Sequence, residues 1–237
     1  MKIKNSVALV TGSNRGLGLA LVHELVARGA KTVYAAMREP VDIDLPGVVS
    51  ITLDVTDPAS VAVAAARYGD VTLLINNAGI ARVMASAIEP GAIEMSREIM
   101  ETNYYGIIRV SQAFAPVISR NGGGAIVNVL SDAAWFSRPM LAAYSATKSA
   151  AWSFTNALRI ELRERATQVL GLHMGFMDTD MTKGYDMAKV HPRDVAARTF
   201  DALEAGQEEV LADEGTREIK ESLSRAQSLY LNPPEIA

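Results

Sequence analysis

The sequence predicts an α/β protein with a doubly wound, parallel sheet of about seven strands that is covered by helices on both faces. Short apolar runs of strand length alternate along the chain with segments of helical periodicity, the pattern of successive strand and helix units. A glycine-rich turn joins the first of these strands to the first helix. Because no linker, internal repeat or low-complexity tract divides the chain, we predict one domain over residues 1–237.

Composition narrows the classes of function. The chain has 237 residues, and its 49% of apolar residues can supply a large core. Its net charge of −4 argues against nucleic acid or an anionic membrane as the main partner. It contains no cysteine, which excludes disulfides, thiolate metal sites and a cysteine nucleophile.

The N-terminal segment and the histidines give three further expectations. The first apolar run ends at Val10 and is too short for a secretion signal or a membrane span, so we expect a cytoplasmic protein without a membrane partner. His23, His173 and His191 lie far apart and show no metal-ligand spacing. We therefore predict that each is a surface or helix-end residue and that the protein holds no metal.

The first strand and the first helix flank a turn that is typical of phosphate binding. Residues 7–10 form a continuous apolar run, and residues 19–29 have helical spacing that ends on a glycine. The spacing between them is Gly12-x-x-x-Gly16-x-Gly18, which only approximates the common dinucleotide pattern. Such glycines let the backbone approach a pyrophosphate, which then lies on the free N–H groups of the helix N-terminus. The alternative is a tight turn that binds no ligand.

The second strand, residues 31–38, indicates which dinucleotide fits. An acidic residue about twenty positions after the glycines binds the ribose 2′-hydroxyl, whereas an arginine there suits a 2′-phosphate. Arg38 lies twenty residues after Gly18, and Arg15 adds a second cation inside the turn. We therefore predict NADP(H) over NAD(H), provided that Glu39 does not fold back. A solvated arginine at the strand end is the alternative.

Two further predicted strands end in polar residues. Residues 48–53 are followed by Asp54, and residues 71–75 are followed by Asn-Asn-Ala-Gly at 76–79. In open α/β sheets ligands bind at the carboxyl ends of the strands, so both groups fall where a ligand lies, with Asp54 a candidate to face adenine. An ordinary turn is the alternative for 76–79. Asp57, before a proline, is the expected N-cap of the next helix.

Asn103 interrupts a helix that we predict over about residues 96–115. Its amide competes with the backbone for hydrogen bonds, so a local irregularity of the helix is the simple account. A water-binding site near a catalytic group is the alternative.

A serine, a tyrosine and a lysine follow the fifth predicted strand, residues 125–130. Ser131 comes directly after the strand, and an alanine-rich helix begins near Tyr144. On that helix Tyr144 and Lys148 lie one turn apart on the same face, so the ammonium can act on the phenol. A positive charge favours the phenolate and lowers the pKa of a tyrosine, and a serine within reach can hydrogen-bond a substrate oxygen. The alternative is a surface helix that carries the two residues by chance.

The C-terminal third supplies the remaining elements and a candidate lid. Residues 168–173 are a sixth strand, and residues 174–190 have the composition of a loop that covers a substrate. A helix opens at His191, residues 209–212 are a short last strand, and the end around 232–234 reads as a tail. A mostly apolar pocket wall is expected from Ala133, Ala134, Trp135, Phe136, Met140, Leu141 and Phe176, unless several of these pack in the core or at a subunit interface.

Together these stretches resemble the short-chain dehydrogenase/reductase family over essentially the whole chain. The matching residues are Thr11-Gly12-x-x-x-Gly16-x-Gly18, Asp54, Asn76-Asn77-Ala78-Gly79, Asn103, Ser131 and Tyr144-x-x-x-Lys148. The resemblance implies a Rossmann-type fold. It also implies NADP(H) bound by Gly12, Asn14, Arg15, Gly16, Leu17, Gly18, Arg38, Asp54, Val55, Asn77, Ala78, Gly79, Tyr144, Lys148, Gly175 and Thr179.

The resemblance also implies roles for the catalytic residues. In that family the residue matching Tyr144 is the general acid/base, and the one matching Lys148 holds the nicotinamide ribose and lowers the tyrosine pKa. Ser131 matches the serine that polarises the carbonyl. Asn103 matches an asparagine whose backbone carbonyl holds a water of a proton relay, and Thr179 matches the threonine that bonds the nicotinamide carboxamide.

Two residues depart from the family pattern. Met174 stands where a proline is usual, which bears on the hinge of the lid. Asp132 follows the serine where a small or hydroxylated residue is commoner, and it adds a charge near the pocket.

The leading hypothesis is an NADPH-dependent reductase of a ketone or aldehyde, reversible as an alcohol dehydrogenase, acting on a hydrophobic or aryl substrate. A 3-oxoacyl thioester reductase is the runner-up, although Arg82, Arg138 and Lys183 are too few and scattered for an acyl-carrier surface. A non-catalytic NADP(H)-binding regulator is the third hypothesis. The resemblance further implies homo-tetramers, or a smaller homo-oligomer, formed through the helices that carry Asn103 and Tyr144.

Overall fold

The computed structural model describes residues 1–184, 186 and 188–233. Within them, seven strands form one sheet in which every neighbouring pair is parallel. The strands are β1 (Val7–Thr11), β2 (Thr32–Met37), β3 (Val48–Thr52), β4 (Leu73–Asn76), β5 (Gly124–Val129), β6 (Thr167–His173) and β7 (Glu209–Leu211). Their order across the sheet is β3-β2-β1-β4-β5-β6-β7, which confirms the predicted doubly wound fold.

Helices cover both faces of this sheet. They are α1 (Gly16–Ala27), α2 (Pro58–Arg67), α3 (Ala92–Met100), α4 (Gly106–Arg120), α5 (Ala142–Leu162), α6 (Pro192–Glu204) and α7 (Glu214–Ser222). Helices α1 and α6 share one apolar cluster with the sheet, and α2, α4 and α5 share another.

The two clusters explain why the strands are apolar throughout. Along β1, Ala8 and Val10 belong to the cluster with α1, whereas Val7 and Leu9 belong to the opposite cluster. Side chains alternate between the faces of a strand, so a strand buried on both faces needs a continuous apolar run. No helix of the described residues has the length and apolarity needed to cross a bilayer.

The strand order reverses between β1 and β4, and the crevice at this switch point opens at the carboxyl ends of the strands. A buried chain of polar side chains fixes the neighbouring elements. Asn76 Nδ2 donates to Ser111 Oγ at 3.1 Å and to Asn128 Oδ1 at 2.9 Å, and Asn128 Nδ2 donates to Thr155 Oγ1 at 3.0 Å. These bonds join β4 and β5 to α4 and α5, so the strand that leads to Ser131 is held against the helix that carries Tyr144.

Two helical features differ from the sequence prediction. The helix predicted over about residues 96–115 begins earlier and ends later, because α3, a π-helical turn at Glu101–Tyr105 and α4 are continuous. The prediction missed α7, whose nine residues are mostly polar. Asp213 caps α7 by accepting a hydrogen bond from Thr216 N, and Ile219 anchors its buried face.

Candidate active site

A cavity of about 820 Å³ lies at the carboxyl ends of the central strands. All the residues that the family resemblance predicts to bind NADP(H) line this cavity. Ser131 lines it too. Asn103 does not line it and lies fully buried behind its wall. The predicted residues on the lining are Gly12, Asn14, Arg15, Gly16, Leu17, Gly18, Arg38, Asp54, Val55, Asn77, Ala78, Gly79, Ser131, Tyr144, Lys148, Gly175 and Thr179.

The glycine turn between β1 and α1 leaves no room for a side chain at two positions. Gly12 has a φ of +66°, and a Cβ there would lie 2.9 Å from Ala78 Cα. A Cβ on Gly18 would lie 2.1 Å from the carbonyl oxygen of Gly12. The turn and the helix start are therefore packed backbone against backbone beside the cavity.

Helix α1 begins without a capping side chain. Arg15 takes the N-cap position with extended backbone but makes no side-chain capping bond, and the first turn contains no acidic residue. Helices α3 and α5 also lack a capping side chain, whereas α2, α6 and α7 are capped by Asp57, His191 and Asp213. The first N–H groups of α1 are thus left for an acceptor in the cavity, which fits the pyrophosphate of a dinucleotide.

Asn77 holds the glycine turn from the neighbouring strand. Its Nδ2 donates to the carbonyl oxygens of Thr11 at 2.8 Å and Gly12 at 3.0 Å. Thr11 Oγ1 in turn accepts from the backbone N–H groups of Asn77 and Ala78, both at 3.0 Å. The residues after β4 therefore hold the glycine turn in place.

The rim of the cavity beyond β2 carries charges of both signs. Arg38 and Glu39 are both exposed and both line the cavity. Arg15 Nη1 reaches across to Asp180 Oδ2 of the lid segment (residues 174–190) at 2.9 Å. Burial acts to raise the pKa of Asp54, but hydrogen bonds from Thr56 and the charge of Arg38 outweigh it and lower that pKa.

Ser131, Tyr144 and Lys148 meet at the other end of the cavity. Ser131 Oγ has two acceptors within reach, Asp132 Oδ1 at 3.0 Å and the carbonyl oxygen of Met174 at 3.3 Å. Lys148 is buried, donates from Nζ to the carbonyl oxygen of Val129 at 2.8 Å, and lies 5.5 Å from the centre of the Tyr144 ring. A hydroxyl, a phenol and an amine therefore face one space.

The pKa of Tyr144 moves opposite to the expected direction. Burial raises it to about 12, the hydrogen bond with Ser131 lowers it, and the charge of Asp132 raises it. Burial also lowers the pKa of Lys148 to about 8. The lysine sits beside the face of the tyrosine ring and donates to Val129, so desolvation governs the phenol, which stays protonated at neutral pH.

Asp132, the departure noted after the serine, forms a buried ion pair. Its Oδ2 accepts from Arg138 Nη2 at 2.9 Å, and its side chain is only 6% exposed. Arg138 also packs on the rings of Phe136 and Phe176. One carboxylate thus connects the hydroxyl of Ser131 to a guanidinium on the cavity wall.

Asn103 lies in the π-helical turn, which confirms the expected irregularity. Its Oδ1 accepts from Ile80 N at 2.8 Å, and its Nδ2 donates to the carbonyl oxygen of Ile80 at 2.9 Å and to Thr147 Oγ1 at 3.1 Å. The side chain therefore joins the loop after β4 to α5. The water-relay role of its backbone carbonyl stays a prediction.

His173 contradicts the expectation of a surface or helix-end histidine. It lies fully buried at the end of β6. Its ring stacks on Trp135, with the two ring centroids 4.0 Å apart. Its Nδ1 lies 3.0 Å from the carbonyl oxygen of Ser131, an acceptor, so Nδ1 carries the proton. Burial lowers its pKa to about 3. His23 is exposed and His191 caps α6, as expected.

The lid segment is anchored at both ends. Gly175 N donates to Asp213 Oδ2 at 2.8 Å, and the carbonyl oxygen of Met174 accepts from Asp132 N at 3.0 Å. Met177 pairs with Val190 in a parallel bridge. Side-chain and backbone hydrogen bonds therefore hold Met174, which stands where the family pattern has a proline, and Gly175 in place. Of this segment, Tyr185 and Met187 fall outside the described residues.

Part of the expected apolar wall belongs to the core. Trp135 and Phe136 pack with Ile219 of α7 in a buried cluster that also contains Ala134. The residues of the expected wall that line the cavity are Ala133, Leu141 and Phe176. The polar residues Asp132 and Arg138 line it beside them, so the substrate end is less apolar than predicted.

Sequence reasoning missed three residues that support the site. The sequence indicates Arg138 only as one of several scattered charges, predicts His173 at the surface or a helix end, and assigns no role to Asp213. Asp132 is the residue in the sequence that could have indicated the role of Arg138. A buried carboxylate after the serine requires a cationic partner, and Arg138 supplies it. No group of three or more acidic or histidine side chains that could hold a metal ion occurs among the described residues.

Comparisons with known proteins agree with this geometry. The family model for short chain dehydrogenase matches residues 6–189. Dehydrogenase/reductase SDR family member 7B of Mus musculus is 32% identical over 196 residues, which cover 76% of this chain and 60% of that protein. The chain thus spans about 60% of the length of that curated relative.

Two further proteins match over more of their own length. The 3-oxoacyl-(acyl-carrier-protein) reductase FabG of Salmonella typhimurium is 32% identical over 192 residues, covering 77% of this chain and 78% of that protein. A crystal structure of a short chain dehydrogenase from Burkholderia cenocepacia in complex with NADP is 39% identical, covers 95% of both chains and has a TM-score of 0.89. On the family match, the fold and the assembled residues, this chain belongs to the short-chain dehydrogenase/reductase family.

Proposed function

We propose that the protein is an NADPH-dependent oxidoreductase that reduces a ketone or aldehyde carbonyl, reversibly as an alcohol dehydrogenase. The observation that carries the proposal is the meeting of Ser131, Tyr144 and Lys148 at one end of a cavity whose other end fits a dinucleotide. Family membership supports an oxidoreductase, and the NADP-bound structure from Burkholderia cenocepacia supports the cofactor.

The dinucleotide end positions the cofactor. The uncapped N-terminus of α1 would hold the pyrophosphate, and the cavity floor near Lys148 and Thr179 would hold the nicotinamide half. NADPH, when bound, supplies the hydride for the carbonyl carbon. Arg38 and Arg15 favour a 2′-phosphate, and we propose NADP(H) over NAD(H) on that ground.

Two side chains act on the substrate oxygen, and a third acts on one of them. Ser131 turns its hydroxyl from Asp132 toward that oxygen and stabilises the negative charge that develops on it. Tyr144, which is protonated at neutral pH, donates its phenolic proton to the same oxygen. The product is the alcohol. Lys148, whose Nζ lies 5.5 Å from the centre of the Tyr144 ring, then stabilises the phenolate, because a nearby positive charge favours the ionised form.

A 3-oxoacyl thioester reductase is the second candidate. The similarity to FabG over 192 residues favours it, since that relative's name describes this reaction. The keto group at position 3 of a 3-oxoacyl thioester is reduced in the same way as a simple ketone, so the two candidates differ only in what recognises the rest of the substrate. A homo-oligomer formed through the helical segment that carries Asn103 and through α5, which carries Tyr144, remains part of the proposal.

The test is the loss of NADPH absorbance when the purified protein is mixed with aliphatic, aryl and steroidal ketones and with a 3-oxoacyl thioester. NADH is run in parallel, and the alcohol product is identified. We expect turnover with NADPH, and a loss of about 10²- to 10³-fold in kcat for Ser131→Ala, the effect of removing one donor to a developing oxyanion. NADPH binding without turnover of any carbonyl would overturn the proposal and favour a non-catalytic regulator.

A further inference from the structure

Arg138 presents a guanidinium to the substrate end of the cavity. Its side chain is 12% exposed, and Nη2 donates to Asp132 Oδ2 at 2.9 Å. Its guanidinium carbon lies 4.9 Å from the ring centre of Phe136 and 5.2 Å from that of Phe176. An ion pair and two aromatic rings thus fix the orientation of this group on the cavity wall.

Most of the hydrogen-bonding capacity of this guanidinium is unused. Arginine carries five N–H donors in a planar fork. Within residues 1–184, 186 and 188–233, Asp132 is the one hydrogen-bond acceptor of Arg138, so its other donors remain for the cavity that it lines. These donors keep access to the cavity, where water or a substrate oxygen can accept from them.

The charge of the pair defines which oxygen fits. Asp132 is almost fully buried and is also the acceptor of the Ser131 hydroxyl at 3.0 Å. Because it neutralises Arg138, the pair carries no net charge toward the cavity. A substrate carboxylate there would lose hydration without a net positive charge to offset the loss, whereas a neutral carbonyl oxygen accepts from Arg138 at a smaller desolvation cost.

We propose that Arg138 is a specificity-determining residue that binds a second, uncharged carbonyl oxygen of the substrate. The preferred substrates are then ketones that carry a neighbouring ketone, ester or thioester carbonyl, rather than simple ketones or oxo acids. Ser131 and Arg138 share Asp132, so the reduced carbonyl and the second carbonyl lie on the same side of the pocket. This inference rests on the proposed carbonyl reduction.

The test compares kcat/KM for three probes that differ in the second oxygen: 2-pentanone with none, ethyl acetoacetate with a neutral one, and acetoacetate with a charged one. The variants are Arg138→Lys, which keeps the ion pair, and the double variant Asp132→Asn with Arg138→Met, which removes both charges together. Arg163→Met is the matched control, because Arg163 is an exposed arginine beyond the far end of α5.

We expect the ratio of ethyl acetoacetate to 2-pentanone to fall about tenfold or more in the double variant, and by less in Arg138→Lys. The change should lie mainly in the KM for ethyl acetoacetate, and the ratio should stay constant in Arg163→Met. The ratio within one variant cancels any general effect on Ser131 or on folding, and Arg138→Lys covers the case in which the double variant fails to fold.

Three outcomes overturn the proposal. A ratio unchanged within twofold in both Arg138 variants removes the specificity role but leaves carbonyl reduction standing. A wild-type preference for acetoacetate over its ethyl ester contradicts the recognition of an uncharged oxygen. A wild-type enzyme that binds NADPH but reduces none of the three probes, nor any carbonyl of the broader panel, overturns the proposed function and this inference with it.

Discussion

The two ends of the cavity are built in different ways. The dinucleotide end consists largely of backbone, with Gly12, Gly18 and the uncapped start of α1 packed so closely that a Cβ would lie 2.1 Å from a carbonyl oxygen. The substrate end, called the carbonyl end below, consists of buried polar side chains that contact one another or the backbone. They include Ser131, Asp132 and Lys148.

This difference separates two physical requirements. A phosphate needs space beside free N–H groups, which small residues provide without any specific side-chain partner. A proton donor needs a controlled pKa, which only burial and neighbouring polar groups provide. Substitutions at the two ends should therefore damage different steps, cofactor binding at one and chemistry at the other.

The largest effect is expected from Tyr144→Phe. Removing the phenolic hydroxyl removes the proposed proton donor while leaving the ring, so kcat should fall by about 10²- to 10⁴-fold. The Kd for NADPH, followed by fluorescence titration, should change by less than about twofold because the glycine turn, where we propose that the pyrophosphate binds, is untouched. A variant that retains more than a tenth of the wild-type turnover would contradict the assignment of Tyr144 as the acid.

Gly18→Ala tests the opposite end. Its Cβ would clash with the carbonyl oxygen of Gly12, which is backbone and cannot move without opening the turn. We expect a loss of about 10- to 100-fold in NADPH affinity together with a lower Tm, while any residual turnover at saturating NADPH still depends on Tyr144. Gly69→Ala is the matched control, because no atom lies within 4 Å of a Cβ placed there. Unchanged affinity in Gly18→Ala would show that the turn tolerates a side chain.

The dinucleotide end could be predicted from the sequence because its determinants are local. A strand, a spaced set of glycines and a helix occupy consecutive residues, and the structure places all of them as expected. The seven strands followed from apolar runs in the same way, since both faces of the sheet are buried. Helix α7 was missed because its sequence is mostly polar and its buried face is short.

The carbonyl end could be predicted only in part. Tyr144 and Lys148 share a helix turn, so their meeting follows from spacing. The hydrogen-bond partners of His173 and Gly175 cannot be predicted from local spacing. Ser131 lies 42 residues from His173 in the sequence, and Asp213 lies 38 residues from Gly175. The pKa of Tyr144 was predicted in the wrong direction for the same reason, since burial depends on the whole fold.

His173 allows the buried side of the carbonyl end to be tested by pH. The folded protein keeps this imidazole neutral down to about pH 3, whereas the unfolded chain takes up a proton near pH 6.5. The unfolded state therefore binds more protons in that window, and the stability contributed by neutral His173 is lost as the pH falls from 6.5 toward 3. In His173→Gln, the slope of unfolding free energy against pH should be shallower by up to about 1.4 kcal/mol per pH unit.

The measurement is denaturant unfolding of both proteins at several pH values between 7 and 4. His173→Gln should also be less stable at pH 7, by about 1–3 kcal/mol, because the bond to Ser131 and the stack on Trp135 are lost. The matched control is His23→Gln, which replaces an exposed imidazole on α1. Equal slopes for His173→Gln and this control would contradict the buried, neutral state of His173.

The smallest effects are expected at the rim, where they decide the choice of cofactor. Arg38 is exposed and, among the described residues, has no carboxylate within salt-bridge distance, whereas Arg15 is paired with Asp180. A 2′-phosphate can therefore bind Arg38 directly but must compete with Asp180 for Arg15. Arg38→Ala should raise the KM for NADPH about tenfold. Arg15→Ala should raise it by less, because Arg15 must give up its exposed ion pair with Asp180, worth up to about 1 kcal/mol, to bind the phosphate.

The KM for NADH should stay within about twofold in both variants, since NADH has no 2′-phosphate for either arginine to bind. The effect of Arg38→Ala should also shrink as salt is raised, because the arginine is exposed and its charge is screened. Equal losses for NADPH and NADH would assign Arg38 to the shape of the rim rather than to the phosphate. A larger loss in Arg15→Ala than in Arg38→Ala would instead show that Asp180 releases Arg15 at little cost and that the lid takes part in cofactor choice.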